Sequence, residues 1–164
     1  MASGSETTIG WREWVAFPEW GIDALKAKID TGARTSALHA GDLESFERSG
    51  ERWVRFTAHP WQRSDADAIT IEAPLVDERV VTSSSGTTSH RPVVRAVVEL
   101  DGAPHEVELT LTRRDDMGFR MLLGREAMRG RYLVDPSRSY LTGRPSVDIR
   151  RRNRGRSPHP TEST

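Results

Sequence analysis

Leu25-Lys26-Ala27-Lys28-Ile29-Asp30-Thr31-Gly32-Ala33 is the stretch on which the reading of this chain turns. Successive side chains of a strand point to opposite sides, so Leu25, Ala27 and Ile29 share one face and Lys26 and Lys28 the other. The strand delivers Asp30 to its end, where Gly32 permits a turn that larger residues obstruct. A carboxylate at the mouth of such a turn can be held by backbone N–H groups and still reach a ligand. Read alone, Asp30-Thr31-Gly32 also fits an ordinary turn aspartate. Much later comes Met121-Leu122-Leu123-Gly124-Arg125-Glu126, an apolar run stopped by a glycine and followed by helix formers.

Outward from this core, the chain reads as short strands broken by turns. Residues 11–17 form the first candidate, ended by Pro18, and residues 53–58 and 69–73 form two more, with Pro60 and residues 64–67 as punctuation. The clearest hairpin follows. Val94, Ala96, Val98 and Leu100 alternate with Arg95 and Glu99, Asp101-Gly102 turns the chain, and Val107, Leu109 and Leu111 alternate with Glu106, Glu108 and Thr110. Asp-Gly favours a two-residue turn, while Ala103-Pro104 points to a slightly longer loop. Residues 124–128 are the one convincing helical start. Many short strands and one short helix near the C-terminus predict an all-β, closed or nearly closed barrel. No internal repeat is visible.

The 164 residues predict one domain, long enough to bury about 68–70% of the unfolded surface. Residues 1–8 read as a disordered start, 9–147 as the barrel and 148–164 as an Arg-rich, disordered tail. Basic and acidic residues number 24 each, so no global field points to nucleic acid or membrane. Lys26 and Lys28 are the only lysines. The arginine excess suits carboxylate or phosphate contacts, although genomic base composition accounts for the count as well. There is no cysteine, hence no disulfide and no thiolate metal site. The N-terminus has no apolar core of a signal peptide, and no apolar run approaches a membrane span, so a cytoplasmic protein is expected. The run Arg150-Arg151-Arg152-Asn153-Arg154-Gly155-Arg156 reads as a solvated tail, with an anionic partner as the alternative. No aromatic residue is interleaved for base stacking. The five tryptophans read as packing residues.

The Asp-Thr-Gly-Ala turn and the apolar-Leu-Gly-Arg segment resemble those of the retropepsin-like aspartic peptidases. The match narrows with Ile9-Gly10-Trp11-Arg12-Glu13-Trp14, Ala27 through Ala40, Ser84-Ser85-Gly86 and His90-Arg91-Pro92-Val93-Val94. These are similar to a bacterial and archaeal branch of that fold whose members carry the label "ATP-dependent zinc protease", some associated with ATP-grasp glutamate ligases. The resemblance covers residues 9 to 135. It implies a retropepsin-like (acid protease) barrel with Asp30 as the catalytic carboxylate. It also implies that Thr31 bonds across a dyad, Gly32 offers backbone to substrate, Ala33 packs behind, and Leu123 and Gly124 support the turn. This chain has one Asp-Thr-Gly, so a homodimer with Asp30 facing Asp30 is expected.

The resemblance further implies a flap over the substrate. Residues 80–89, polar and flexible between apolar-rich strands, are the candidate, with Ser83, Ser84, Ser85, Gly86, Arg34 and Arg91 as substrate contacts. An inconsequential surface loop, and a solvent-facing Arg91, are the other readings. Two departures from the viral pattern stand out. The acidic residue that usually follows Asp-Thr-Gly-Ala and pairs with the arginine of Leu-Gly-Arg is here Arg34, which leaves Arg125 to find another acid or stay exposed. Arg34 near a dyad favours ionised carboxylate and an acidic substrate. The connection from Asp30 to Gly124 is also longer, and the region 53–73 could add strands or obstruct the dimer.

No cofactor and no metal site are expected. His39, His59, His90, His105 and His159 are scattered without His-Glu-x-x-His spacing; Asp30 with His39 and His90 is the one convergence that zinc would use. No phosphate-binding glycine loop supports ATP binding, and the serine run lacks a nucleophile elbow. The expected function is a retropepsin-like aspartic endopeptidase acting on a peptide or protein. A catalytically silent barrel that regulates a glutamate ligase or another partner is the alternative. A zinc hydrolase is the weaker one.

Overall fold

The computed structural model describes residues 6–82, 85–113 and 118–156. Eleven strands follow one another: β1 (Thr7–Gly10), β2 (Arg12–Phe17), β3 (Ile22–Ile29), β4 (Ser36–Arg48), β5 (Glu51–Ala58), β6 (Ile69–Pro74), β7 (Asp77–Thr82), β8 (Thr88–Leu100), β9 (Ala103–Thr112), β10 (Met121–Leu123) and β11 (Tyr132–Asp135). Among the described residues two short α-helices accompany them, α1 (Arg125–Met128) and α2 (Val147–Asn153). Six strands close a ring in the order β10-β3-β2-β8-β9-β4, because β10 pairs with both β3 and β4. The antiparallel strands β5 and β6 extend from β4, and β7 hangs on β8. The expected all-β, nearly closed barrel is what the chain forms.

The alternation read from the sequence is the reason the ring has an inside. Leu25, Ala27 and Ile29 of β3 are buried while Lys28 is exposed. Phe17, Ile22, Leu25, Leu38, Leu109 and Met121 are all but sealed from solvent. Each such side chain contributes about 1.5–3 kcal/mol through burial. The β8–β9 hairpin turns in two residues, with Leu100 opposite Ala103 and both Asp101 and Gly102 at positive φ. The longer loop that Pro104 implied is absent. Trp14 and Trp61 are buried, and Trp20 stacks on Phe17 and meets Phe56 edge-on.

Two features depart from the sequence reading. The thirteen residues of β4 pass from the ring into the β5–β6 extension, bent at a bulge where Asp42 takes a positive φ. The arginine run is not wholly a tail, because α2 begins at Val147 with Ser146 capping it through Ile149 N–H. Asn153, 1% exposed, fastens it by accepting from Gln62 N–H and donating to the Gln62 side chain. A pairing to residues ninety places away is invisible in local composition. Among the described residues no helix is long and apolar enough to cross a membrane.

Candidate active site

Strand β3 reaches Asp30 alongside β10, in parallel register with Leu123 opposite Ile29. Asp30 N–H donates to the Leu123 carbonyl (2.9 Å), so the ladder runs one residue past the strand and fixes where the turn departs. Within the turn, Ala33 N–H donates to the Asp30 carbonyl (3.2 Å) and Gly32 N–H to Asp30 Oδ1 (3.0 Å). Gly32 has no left-handed φ. Its value is space, since a Cβ there would lie 3.3 Å from Asp30 Oδ1. Asp30 is half-buried, and Thr31 and Gly32 are exposed.

The start of α1 braces this turn from below. The first N–H groups of a helix lack intrahelical partners. Here Arg125 N–H donates to the Ala33 carbonyl (2.8 Å) and Glu126 N–H to the Arg34 carbonyl (3.0 Å). The Arg125 guanidinium donates to the carbonyls of Thr31 (3.3 Å) and Gly32 (3.1 Å). Consecutive carbonyls from Thr31 to Arg34 are thus held by two residues. Gly124 N–H donates to the Ser36 hydroxyl (3.0 Å), and a Cβ on Gly124 would sit 2.4 Å from the Thr35 carbonyl oxygen. Leu123 thus accepts from the Asp30 backbone, and Gly124 packs against the Thr35 and Ala33 carbonyls.

The charge inversion has a structural answer: among the described residues Arg125 finds no acid and stays exposed, as one of the two expectations held, but it also grips backbone. Arg34 pairs with Glu126 (3.4 Å), and Arg125 is released to bind backbone. That ion pair is solvent-exposed and weak. Two hollows flank the turn. One, of about 570 Å³, is lined by residues 34–36, by Arg79 of β7, by Glu108 and by Glu126. The other, of about 400 Å³ and mostly apolar, is lined by Thr31, Arg125, Met128, Leu133 and Val134. Asp30 lines neither, and so stands on the turn that borders both.

The flap candidate corresponds to the β7–β8 hairpin, whose last pair is Thr82 with Thr88. Ser83 and Ser84 lie outside the described residues. Ser85 and Gly86 are exposed at the tip, and the Ser85 and Thr87 hydroxyls are 3.4 Å apart. Arg91 stands further down, opposite Arg79. Arg79 donates to Thr110 and to Glu108, tying the hairpin stem to β9. His39 on β4 packs near His59, with ring centres 5.7 Å apart, while His90 lies on β8. Among the described residues no group of three or more His, Asp or Glu side chains could hold a metal ion.

Sequence reasoning passed over Ser36 and Glu13. Glu13 is 0% exposed and accepts hydrogen bonds from Gly10 N–H, Leu141 N–H, Thr142 N–H and the Thr142 hydroxyl. Its signal was present: Glu13 shares a strand face with Val15 and Phe17, where a charge demands partners. Ser36 carried no such signal, because its bond to Gly124 joins segments far apart in the chain.

A closed ring of strands that presents an Asp-Thr-Gly turn, braced by a Leu-Gly-Arg segment entering a helix, defines a retropepsin-like protein. The chain belongs to the RimB-like family, described as retropepsin-like aspartic endopeptidase RimB, which it matches over residues 8–145. Curated relatives carry the name "Probable alpha-L-glutamate ligase". One from Shewanella pealeana is 50% identical over 141 residues, 86% of this chain and 31% of that protein. One from Desulfotalea psychrophila is 44% identical over 140 residues, 85% of this chain and 30% of that protein. The chain thus spans under a third of the length of these relatives. A solved Legionella pneumophila protein of unknown function superposes with a TM-score of 0.70 at 27% identity, over 84% of this chain and 99% of the other.

Proposed function

We propose that this chain is an aspartic endopeptidase in which Asp30 is the catalytic carboxylate, paired with Asp30 of a second copy across a two-fold axis. The observation that carries this reading is how the turn's hydrogen bonds are spent. Backbone carbonyls from Thr31 to Arg34 are bound to α1 and Arg125, while the Asp30 side chain, with one bond from Gly32, is left at a half-exposed rim. Two carboxylates about 3 Å apart cannot both ionise. They share one proton and titrate as a pair. One then takes a proton from water as it attacks the scissile carbonyl, and the other gives its proton to the departing nitrogen.

Thr31 is the residue to bridge the two turns, Gly32 to meet substrate backbone, and the β7–β8 hairpin with Ser83, Ser84, Ser85 and Gly86 to close over it. The apolar hollow beside Thr31, with Leu133 55% exposed, supports a face for the second copy. The relatives' name brings a glutamate-bearing peptide forward as substrate, and the cations Arg34, Arg79 and Arg91 suit it. A second reading rests on the same name: a barrel without turnover that regulates a glutamate ligase.

Asp30→Asn separates the two. With a glutamate-containing peptide library read by mass spectrometry, the wild type cleaves and Asp30→Asn does not, with unchanged melting temperature. Cleavage that persists in Asp30→Asn overturns the peptidase reading, as does a wild type that cleaves nothing yet binds ligase with or without the substitution. A statine-type peptide, which mimics the tetrahedral state, is expected to inhibit.

A further inference from the structure

On the outer face of β2 and β3, away from the Asp30 turn, lies a cavity of about 290 Å³ lined by Arg12, Lys26, Arg144, Arg150 and Arg154 around Tyr140. No acidic residue lines it. Several arginines elsewhere in the molecule are matched by carboxylates. Arg55 is shared between Glu44 and Glu72, Arg79 meets Glu108, Arg95 meets Glu106 and Arg120 meets Asp65. Among the described residues none of the five cavity cations takes part in an ion pair. Like charges gathered in one concavity repel, and the low-dielectric wall strengthens the repulsion.

Two features hold the cluster together, and a third calls for a ligand. Tyr140 presents its ring to Arg12 (4.9 Å), Lys26 (5.3 Å) and Arg144 (4.9 Å), so one aromatic ring gathers three cations. Asn153 fastens α2 to Gln62, which brings Arg150 and Arg154 to the rim. Arg150 Nε is buried with no hydrogen-bond partner. A buried N–H of a charged group without an acceptor calls for one. The arginine run, read from the sequence as a tail, therefore supplies the last wall of a preformed cation cage.

We infer that this cavity binds a compact, multivalent phosphate-type oxyanion, such as pyrophosphate or the polyphosphate arm of a nucleotide. Guanidinium forks match phosphate oxygens bidentately, and four of the five cations are arginines. The volume lies at the lower end of small-molecule sites, about 300–1,000 Å³, which favours a compact ligand over an extended acidic chain. The inference stands apart from the peptidase reading.

The test is calorimetric titration of the wild-type chain with inorganic pyrophosphate and, separately, with ATP, at ionic strength held constant with sodium chloride. Saturable binding of either supports the site, and the tighter of the two identifies its source. Arg144→Gln with Arg150→Gln is expected to weaken it at least about tenfold, since each removes charge-assisted hydrogen bonds. Lys26→Gln, on a ring strand, gives the same direction should the double variant not fold. Asp30→Asn is expected to bind as the wild type. The inference is overturned by affinity unchanged in both cavity variants, by no saturable binding, or by a tetraglutamate peptide that displaces pyrophosphate and binds more tightly.

Discussion

Gly124 and Glu13 show how much of this molecule rests on single positions. A Cβ at residue 124 meets the Thr35 carbonyl oxygen at 2.4 Å and the Ala33 carbonyl oxygen at 3.0 Å, both backbone atoms that no rotamer can move. Gly124→Ala must therefore push β10 from the turn it braces, at a cost of about 1–3 kcal/mol. Displacing the turn by even an ångström disturbs Asp30 more than the fold, so peptide turnover should fall by about 100-fold. Thermal melts beside kinetics check this, and a variant with native turnover refutes the bracing role. Glu13 acts on stability alone. Its carboxylate takes four hydrogen bonds that join the start of β2 to the loop at residues 141–142. Glutamine keeps one oxygen and turns an amide N–H₂ toward N–H donors. Glu13→Gln should lose about 3 kcal/mol, which is a melting temperature lower by roughly 6–12 °C in calorimetry for a chain of this size.

Among the elements, those with a periodic face were legible and those made by distant partners were not. β3, β5, β6 and the end of β8 bury alternate residues, and alternation is a local signal. β4 escaped because Gly41-Asp42 reads as a turn, whereas the structure uses it as a bulge that bends one strand between two sheets. β1 and β11 pair in parallel across more than a hundred residues, and neither carries enough apolar pattern to announce itself. The same division holds around Asp30: the bend at Gly32 was readable, while the Arg125 grip on carbonyls needed coordinates. The β1–β11 ribbon meets the barrel through His105 of β9, whose Nε2 lies 2.7 Å from the Tyr132 hydroxyl. Burial, then the nearby Arg131, holds the His105 pKa below its usual 6.5. The unfolded chain takes up this proton first, so the contribution is present above the ordinary histidine value and is lost as pH falls below it. Between about pH 7.5 and 5.5 the wild type should lose more melting temperature than His105→Gln, which keeps a polar partner and does not titrate there. Parallel curves for the two would remove His105 from the account.

Basic and acidic residues balance over the whole chain, 24 of each, and under the proposed mechanism the half-buried Asp30 is one half of a pair. The sequence holds one Asp-Thr-Gly. A lone carboxylate can accept a proton from water but cannot at the same moment supply one to the leaving nitrogen, whereas a pair sharing a proton does both. The hollow beside Thr31 offers apolar surface next to the turn, and burying Leu133 and its neighbours against a copy would seat two turns face to face. Mixing experiments read this directly. When wild type is exchanged with an equal amount of Asp30→Asn, random pairing leaves only half of the wild-type chains with a wild-type partner. Activity per wild-type chain should then fall by half, and specific activity of the unmixed wild type should decline on dilution as pairs separate. A monomer that works alone would show neither effect. Full activity retained in the mixture would therefore dismiss the shared-proton pair while leaving Asp30 itself in place as the reacting group.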